Sequence, residues 1–264
     1  MSARPRLEAV LRTSLAAARL PLLGGSCAAR LASEELAREA FAGWCLRTLR
    51  VLGVELEIEH QNDGGWPAEP CVYVQLNQSS LIEAMVWPLI LPERQRTIIN
   101  LEFALYPFLG WAMWASSGIA IVRQWQKHAC AGLTRAEAEL RAGKSIGISI
   151  EGRRSKDGRL SPFKKGPVVL ALKTGAPIVP IVFHGARERL PWRAVCVRPG
   201  RITARLCRAI HTRGLTYADR DAVIAQLAEV AQRELARVPA ERHEANSSDA
   251  KHGIELQANR ALNW

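Results

Sequence analysis

The 264-residue sequence has no two cysteines spaced as C-x-x-C and no group of Cys and His with the spacing of a zinc site. It has no aromatic run of the kind that RNA-recognition motifs use to stack bases. No stretch offers the roughly 18 uninterrupted apolar residues of a membrane-spanning helix. The nearest approach, residues 101–122, is broken by Pro107, Gly110 and Ser116. These absences argue against a zinc-stabilised module, a nucleic-acid-binding domain and a helix that crosses the bilayer.

Acidic residues are too few to balance the basic ones. The chain has 36 Lys and Arg against 25 Asp and Glu, a formal charge of +11 and an isoelectric point near 9.9. Such an excess favours anionic partners: nucleic acid, an anionic membrane face or a phosphate-bearing substrate. Because no nucleic-acid motif accompanies the charge, we predict no nucleic-acid partner and favour the other two.

The six cysteines are scattered, and several lie inside apolar runs, as buried free thiols do. The first residues lack the apolar core of a secretion signal, since charged residues follow closely. Together these features predict a reduced, cytosolic compartment.

Two helices are expected before the first strand, over residues 7–23 and 34–53. Ser33 is suited to cap the second helix, and Glu34 lies in its first turn, where the helix dipole favours an acid. The pair is basic and amphipathic. We therefore expect residues 1–53 to be a helical segment that either lies on a membrane surface or packs on the rest of the protein, and the sequence leaves both open.

Short apolar segments alternate with helical ones from residue 54 onward. The expected strands lie near residues 54–59, 71–76, 97–99, 118–122, 146–150 and 177–183. This alternation predicts an α/β domain over residues 54–238, with a mixed, largely parallel sheet flanked by helices. Residues 239–264 are polar and aperiodic, and we expect a disordered tail there.

Two local motifs predict where particular elements begin or pair. Thr134 and Glu137 have the spacing of a capping box, which predicts that a helix begins at Thr134. A Pro-Gly turn signal at Gly200 predicts a hairpin of residues 194–197 with residues 202–206.

The stretch from Ser145 to Gly166 concentrates charge at the end of a buried strand. Its apolar run breaks at Glu151 and Gly152 into a loop that holds six cations: Arg153, Arg154, Lys156, Arg159, Lys164 and Lys165. In open α/β sheets, ligands bind at the carboxyl ends of the strands. We therefore expect an anion-binding rim at this strand end.

Four blocks, spread over about residues 70–210, resemble the glycerolipid acyltransferase family of the PlsC type. The sequence EGRRS, starting at Glu151, is similar to the family's Glu-Gly-Thr-Arg-Ser box, and PIVP, starting at Pro177, is similar to its late strand. Residues 107–111, which lead to residues 118–123, resemble the second box. The resemblance implies an α/β fold and transfer of an acyl group from a thioester.

The first box departs from the family pattern. Where the family has Asn-His-x-Ser-x-x-Asp, this sequence has NQSSLIE over residues 77–83. In the family the His is the general base and the acid orients it. Gln78 has no titratable nitrogen, so a desolvated Glu83 is the candidate base, and Gln78 positions the acceptor by hydrogen bonds. We therefore predict Gln78 and Glu83 as the catalytic residues.

The resemblance assigns the remaining candidates to substrate binding. Arg123 and Arg154 are expected to bind phosphate, because a planar guanidinium matches phosphate geometry. Glu151 and Gly152 are expected to form a tight turn that orients donors toward the substrate. The complete predicted substrate-binding set is Asn77, Ser80, Arg123, Glu151, Gly152, Arg153, Arg154, Lys164 and Lys165. In the family, a lysine that helps to hold phosphate often stands where this chain has Asn100. We therefore consider an acceptor with another head group, or an amine, as equally good a candidate for the acceptor as lysophosphatidate.

The resulting hypothesis is an acyltransferase that moves a fatty acyl group from acyl-CoA or acyl-carrier protein to a lysophospholipid or related lipid. We expect it to work without a metal or bound cofactor, on an anionic membrane surface, as a peripheral protein on the inner, cytoplasmic face. The missing His leaves an alternative open: a catalytically weak or inactive lipid- or acyl-CoA-binding protein on the same fold.

Overall fold

A computed structural model of the chain describes residues 3–19, 33–62, 67–92, 94–104, 118–122 and 125–237. Arg123, the second-box residues 107–111 and the predicted tail 239–264 lie outside the described residues. The helices are α1 (Ala3–Ala18), α2 (Glu34–Leu52), α3 (Glu83–Ile90), α4 (Leu101–Ala104), α5 (Gln126–Arg141), α6 (Gly166–Thr174), α7 (Ala186–Arg189) and α8 (Arg220–Ala236). The strands are β1 (Val54–His60), β2 (Val72–Gln75), β3 (Gln95–Asn100), β4 (Gly118–Ile121), β5 (Ser145–Ser149), β6 (Ile178–His184) and β7 (Gly200–Leu206).

The described strands form one seven-stranded sheet in the order β1-β7-β6-β2-β5-β3-β4. Every neighbouring pair is parallel except β6 with β7, which is antiparallel. The mixed, largely parallel α/β fold predicted from the sequence is therefore confirmed. Since β2, β5 and β3 are parallel neighbours, their carboxyl ends meet at one edge of the sheet.

Helices cover both faces of the sheet. On one face, residues of β2 and β5 pack with Leu140 of α5, Leu170 of α6 and Leu227 of α8. On the other, Tyr73 packs in a cluster with Val86 of α3. Strands buried on both faces must be apolar on both, which is why the central strands are continuous apolar runs rather than alternating ones.

Helix α2 forms as predicted and packs on the sheet domain. The Ser33 side chain accepts a hydrogen bond from the backbone N–H of Leu36 at 3.4 Å, and Gly53 ends the helix in the left-handed conformation. Leu49 and Leu52 belong to the same apolar cluster as Val86. Helix α2 therefore packs on the domain, and contact of residues 1–53 with a membrane surface stays a prediction. In the described part of the chain, no helix combines the length and the apolar character that a bilayer crossing requires.

Two local predictions are wrong. Thr134 lies inside α5, which begins at Gln126, and its hydroxyl donates to the carbonyl oxygen of Cys130 at 3.1 Å. A threonine can bond the carbonyl four residues back within a helix, so capping-box spacing alone does not locate a helix start. Residues 194–197 form no strand; β7 pairs instead with β1 and β6, which occupy both of its edges.

Candidate active site

The predicted catalytic box follows β2, whose last residue organises it. Gln75 is buried, and its amide oxygen accepts from the indole N–H of Trp87 at 3.2 Å. Because indole N–H is only a donor, this contact fixes which end of the amide is oxygen. The amide nitrogen of Gln75 then donates to the Asn77 carbonyl oxygen at 2.8 Å and to the carboxylate of Glu83 at 2.7 Å.

Glu83, the first residue of α3, is a buried carboxyl surrounded by hydrogen-bond donors. It is 2% exposed. Besides Gln75, its donors are the Ser79 backbone N–H at 3.0 Å, the Ser79 hydroxyl at 2.9 Å and the Ser80 backbone N–H at 3.0 Å. Burial raises the pKa of Glu83 to about 7, although these donors oppose the rise. A carboxyl with this pKa is present in both protonation states at neutral pH, which suits general-base chemistry.

The raised pKa of Glu83 predicts how stability depends on pH. The unfolded chain loses this proton near its ordinary pKa of 4.5, whereas the folded chain keeps it up to about 7. The contribution of Glu83 to stability is therefore fully present below about pH 4.5 and is lost as pH rises through about 7, in total about 3 kcal/mol. Glutamine does not titrate. We expect the difference in unfolding free energy between wild type and Glu83→Gln, measured in urea, to shift toward the variant by about that amount from about pH 5 to about pH 8. An equal difference at both pH values would show that Glu83 has an ordinary pKa.

Gln78 is clamped through its backbone to the basic loop. Its N–H donates to a carboxylate oxygen of Glu151 at 2.5 Å, and its carbonyl oxygen accepts from the backbone N–H of Ser155 at 2.7 Å. Its side-chain oxygen accepts from the hydroxyl of Ser149 at 3.0 Å. This contact leaves the amide nitrogen as the group that Gln78 can offer to a substrate. Gln78 is therefore equipped to donate a hydrogen bond, not to accept a proton.

Glu151 connects the two loops of the site, which are the loop after β2 that holds Gln78 and the basic loop after β5. It is 2% exposed, and its second oxygen accepts from the backbone N–H of Ser161 at 2.6 Å. Burial raises the pKa of Glu151, while these N–H donors and the charge of Arg153 oppose the rise. Gly152 has φ of +69°, in the left-handed region that favours glycine, and so makes the tight turn expected there. Because both carboxylate oxygens are used by the backbone, direct contact of Glu151 with substrate stays a prediction.

Replacing Glu151 with Gln is expected to destabilise the protein by roughly 2 kcal/mol, because one of the two backbone N–H groups would face an NH₂ group. Urea unfolding measures the loss. Glu229→Gln, the same change at an exposed position of α8, serves as the matched control. Equal unfolding midpoints for the two variants would contradict this role of Glu151.

Asn77 and Ser80 attach the first box, residues 77–83, to β6 and to the segment that follows α7. The amide of Asn77 exchanges two hydrogen bonds with the backbone of Phe183 in β6, at 2.7 and 2.9 Å. The hydroxyl of Ser80 donates to the carbonyl oxygen of Leu190 at 2.8 Å. Ser80 lines the cavity described next, whereas Asn77 is not among its lining residues.

A cavity of about 880 Å³ lies over the carboxyl ends of the central strands. Gln78 and Glu83 lie on its wall, together with Gly152 and Glu151. The remaining lining is largely apolar and includes Leu81, Trp87, Ile98, Ile99, Ile121, Leu133 and Ile148. A cavity with a buried carboxyl at one wall and apolar side chains elsewhere can hold an aliphatic chain next to a reacting group.

Three of the predicted cations reach the cavity: Arg153, Arg154 and Lys164. The guanidinium of Arg154 lies 4.5 Å from the ring centroid of Trp192, a cation–π contact that helps hold it in place. Lys165 is exposed and is not among the lining residues. The structure thus brings three of the six rim cations to the cavity, and Lys156, Arg159 and Lys165 are not among its lining residues.

Sequence reasoning missed three side chains that shape the site: Gln75, Ser149 and Trp192. Gln75 and Ser149 are polar residues at the carboxyl ends of β2 and β5, each directly after apolar residues. A polar residue at the end of a buried strand was an available signal. Trp192 lies far along the chain from the box it supports, and no local pattern indicates that contact.

No three His, Cys, Asp or Glu side chains within the described ranges come together as a metal-binding group. Catalysis without a metal or bound cofactor remains a prediction.

The chain is similar to known acyltransferases in sequence and in fold. The protein-family model described as Acyltransferase matches residues 57–184, which include both loops of the site. A chloroplastic 1-acyl-sn-glycerol-3-phosphate acyltransferase of Brassica napus is 37% identical over 46% of this chain and 35% of its own length. The human 1-acyl-sn-glycerol-3-phosphate acyltransferase beta is 29% identical over 75% of this chain and 71% of its own length. The crystal structure of the acyltransferase PlsC from Thermotoga maritima covers 90% of this chain and 98% of its own, with a TM-score of 0.72 and 19% identity.

Residues 57–184 match an acyltransferase domain, which confirms over that region the resemblance that the four boxes predict. The chain spans about a third of the Brassica protein and about seven tenths of the human one. At 19% identity, the Thermotoga structure shows a shared fold alone.

Proposed function

We propose that this protein transfers a fatty acyl group from an acyl thioester to the hydroxyl of a lysophospholipid or related lipid. The observation that carries the proposal is the buried carboxyl of Glu83, with a pKa of about 7, at the wall of a largely apolar cavity. The relatives named as 1-acyl-sn-glycerol-3-phosphate acyltransferases support it.

In the proposed reaction, Glu83 transfers the proton and Gln78 stabilises the charge on the carbonyl oxygen. Glu83 takes the proton of the acceptor hydroxyl as its oxygen attacks the thioester carbonyl carbon. The new C–O bond forms while the carbonyl oxygen gains negative charge, and the amide N–H of Gln78 donates to that oxygen. As the carbonyl reforms, the C–S bond breaks, and the departing thiolate takes the proton from Glu83. The products are an ester and a free thiol, and Glu83 returns to its starting state.

The cations at the cavity bind the anionic parts of the substrates. Arg153, Arg154 and Lys164 line the cavity and suit a phosphate of the donor or of the acceptor. Arg123 belongs to the same proposed set on the resemblance alone. The donor is acyl-CoA or acyl-carrier protein, and the net positive charge suits either. We include in the proposal that no metal or bound cofactor takes part.

The protein is proposed to work as a peripheral protein on the inner, cytoplasmic face of a membrane. Three large apolar side chains of α1 face outward, with Val10 45%, Leu11 55% and Leu15 61% exposed. An exposed apolar ridge on a basic protein favours contact with an anionic lipid surface.

The hydrogen bonds to Glu83 also support a second candidate function, binding of lipid or acyl-CoA without rapid turnover. Both oxygens of Glu83 already accept hydrogen bonds, from four donors, and position 78 offers no titratable nitrogen. A carboxylate so fully satisfied favours a protein that binds lipid or acyl-CoA on this fold and turns it over slowly or not at all.

The two candidates are separated by measuring binding and turnover together. The protein is incubated with labelled oleoyl-CoA or oleoyl-carrier protein and a panel of lysophospholipids, and labelled diacyl lipid and free thiol are quantified. Affinity for oleoyl-CoA is measured in parallel by calorimetry. Equal release of diacyl lipid and thiol supports the enzyme. Binding without product supports the binding protein, and neither binding nor product would contradict both.

A further inference from the structure

Asn100 is a polar residue in the apolar part of the cavity. It is the last residue of β3, lies beside Ile121 of β4 in the sheet register, and lines the cavity. The same cavity is also lined by Ile98, Ile121 and Leu133. No part of the proposed chemistry uses it.

The side-chain amide of Asn100 has no hydrogen-bond partner among the described residues. Its oxygen and its nitrogen are both buried, and neither makes a hydrogen bond to any residue in the described ranges. Most buried polar side-chain atoms in proteins have a partner, so an amide with both ends unpaired calls for an explanation. A group that enters the cavity and pairs with this amide would gain the bonds that the protein leaves unmade.

The chemistry of an amide restricts that group. Asparagine offers two N–H donors and one oxygen acceptor, so its full complement is a group that both donates and accepts. A hydroxyl or a secondary amide meets this requirement. A phosphate can only accept from the amide nitrogen, and it would face the amide oxygen with like charge.

We propose that Asn100 is a specificity-determining residue that hydrogen-bonds a neutral hydroxyl or amide group of a bound substrate. The inference rests on the proposed acyl transfer for the identity of the substrates. Two sources carry the required chemistry: the amide groups of the pantetheine arm of the acyl donor, and a hydroxyl of the lipid acceptor. Asn100 lines the cavity, so its side chain lies next to the space that a substrate would occupy.

Equilibrium binding tests this assignment without requiring turnover, so its failure is distinguishable from failure of the proposed reaction. Dissociation constants for two probes, coenzyme A and lysophosphatidylglycerol, are measured by calorimetry on wild type, Asn100→Leu and Asn100→Ser. Leu removes the amide at similar size, and Ser keeps one group that both donates and accepts. We expect Asn100→Leu to weaken one probe by about tenfold or more, with partial recovery in Asn100→Ser. The weakened probe identifies the source.

Two results would overturn the inference. One is binding of both probes within about twofold of wild type in Asn100→Leu, together with equal or higher thermal stability, which would make the unpaired amide a feature of the fold alone. The other is a wild-type protein that binds neither probe. Because Leu relieves an unpaired buried amide, we expect the variant to fold, and its melting temperature verifies this.

Discussion

Replacement of Glu83 with Gln is expected to lower kcat for acyl transfer by roughly 100- to 10,000-fold, the usual contribution of a general base. The amide cannot take the proton of the acceptor hydroxyl. It also presents an NH₂ group to the amide nitrogen of Gln75, whose orientation Trp87 fixes, so the local geometry changes as well. Initial rates at saturating donor and acceptor measure the effect.

Two further variants separate the base from its surroundings. Glu229→Gln makes the same chemical change at an exposed position of α8 and is expected to keep wild-type rates. Glu83→Asp retains a carboxylate and is expected to recover part of the lost rate. If Glu83→Gln folded and turned over like wild type, Glu83 would not be the base.

Replacement of Gln78 with His is expected to raise kcat by roughly 100-fold or more. It introduces a side chain that titrates near neutral pH at the wall of the cavity, where the present amide can only donate or accept hydrogen bonds. The backbone of residue 78 is held by Glu151 and Ser155, and these contacts do not depend on the side chain. The new imidazole therefore enters a loop whose position is already set.

The control for this gain is Gln226→His, the same change at an exposed position of α8, which is expected to leave rates unchanged. A Gln78→His variant no faster than wild type would contradict the idea that the fold can still use a base at this position. A silent wild type together with an active Gln78→His would favour the binding protein instead.

The central sheet could be predicted because its strands are short apolar runs that both faces bury. The position of Glu151 could be predicted for the same reason, since a charged residue directly after such a run must lie at the end of a strand. The pairing of β7 could not, because a turn signal at Gly200 describes the local chain and says nothing about which edges β1 and β6 leave open.

The candidate site was predicted as residue types and not as contacts. The spacing of the first box places Gln78 and Glu83 in one loop and the start of one helix, but it does not reveal that Gln75 and both serines donate to Glu83. Those donors depend on how the loop folds back on the helix start. The stacking of Arg154 on Trp192 depends on two distant loops meeting, which no local pattern encodes.

The role of Glu83 as the base is tested most directly by the pH dependence of kcat/KM in the wild-type protein, with lysophosphatidylglycerol as an acceptor whose head group does not titrate near neutrality. Glu83 must be ionised to take a proton, so activity is lost as pH falls through its pKa of about 7. We predict a tenfold fall per pH unit below about 7 and a plateau above it. His184→Gln, at a histidine that is not among the cavity-lining residues, is expected to leave this inflection in place. A flat profile from about pH 5 to about pH 9, or an inflection that disappears with His184, would contradict the assignment of Glu83 as the base.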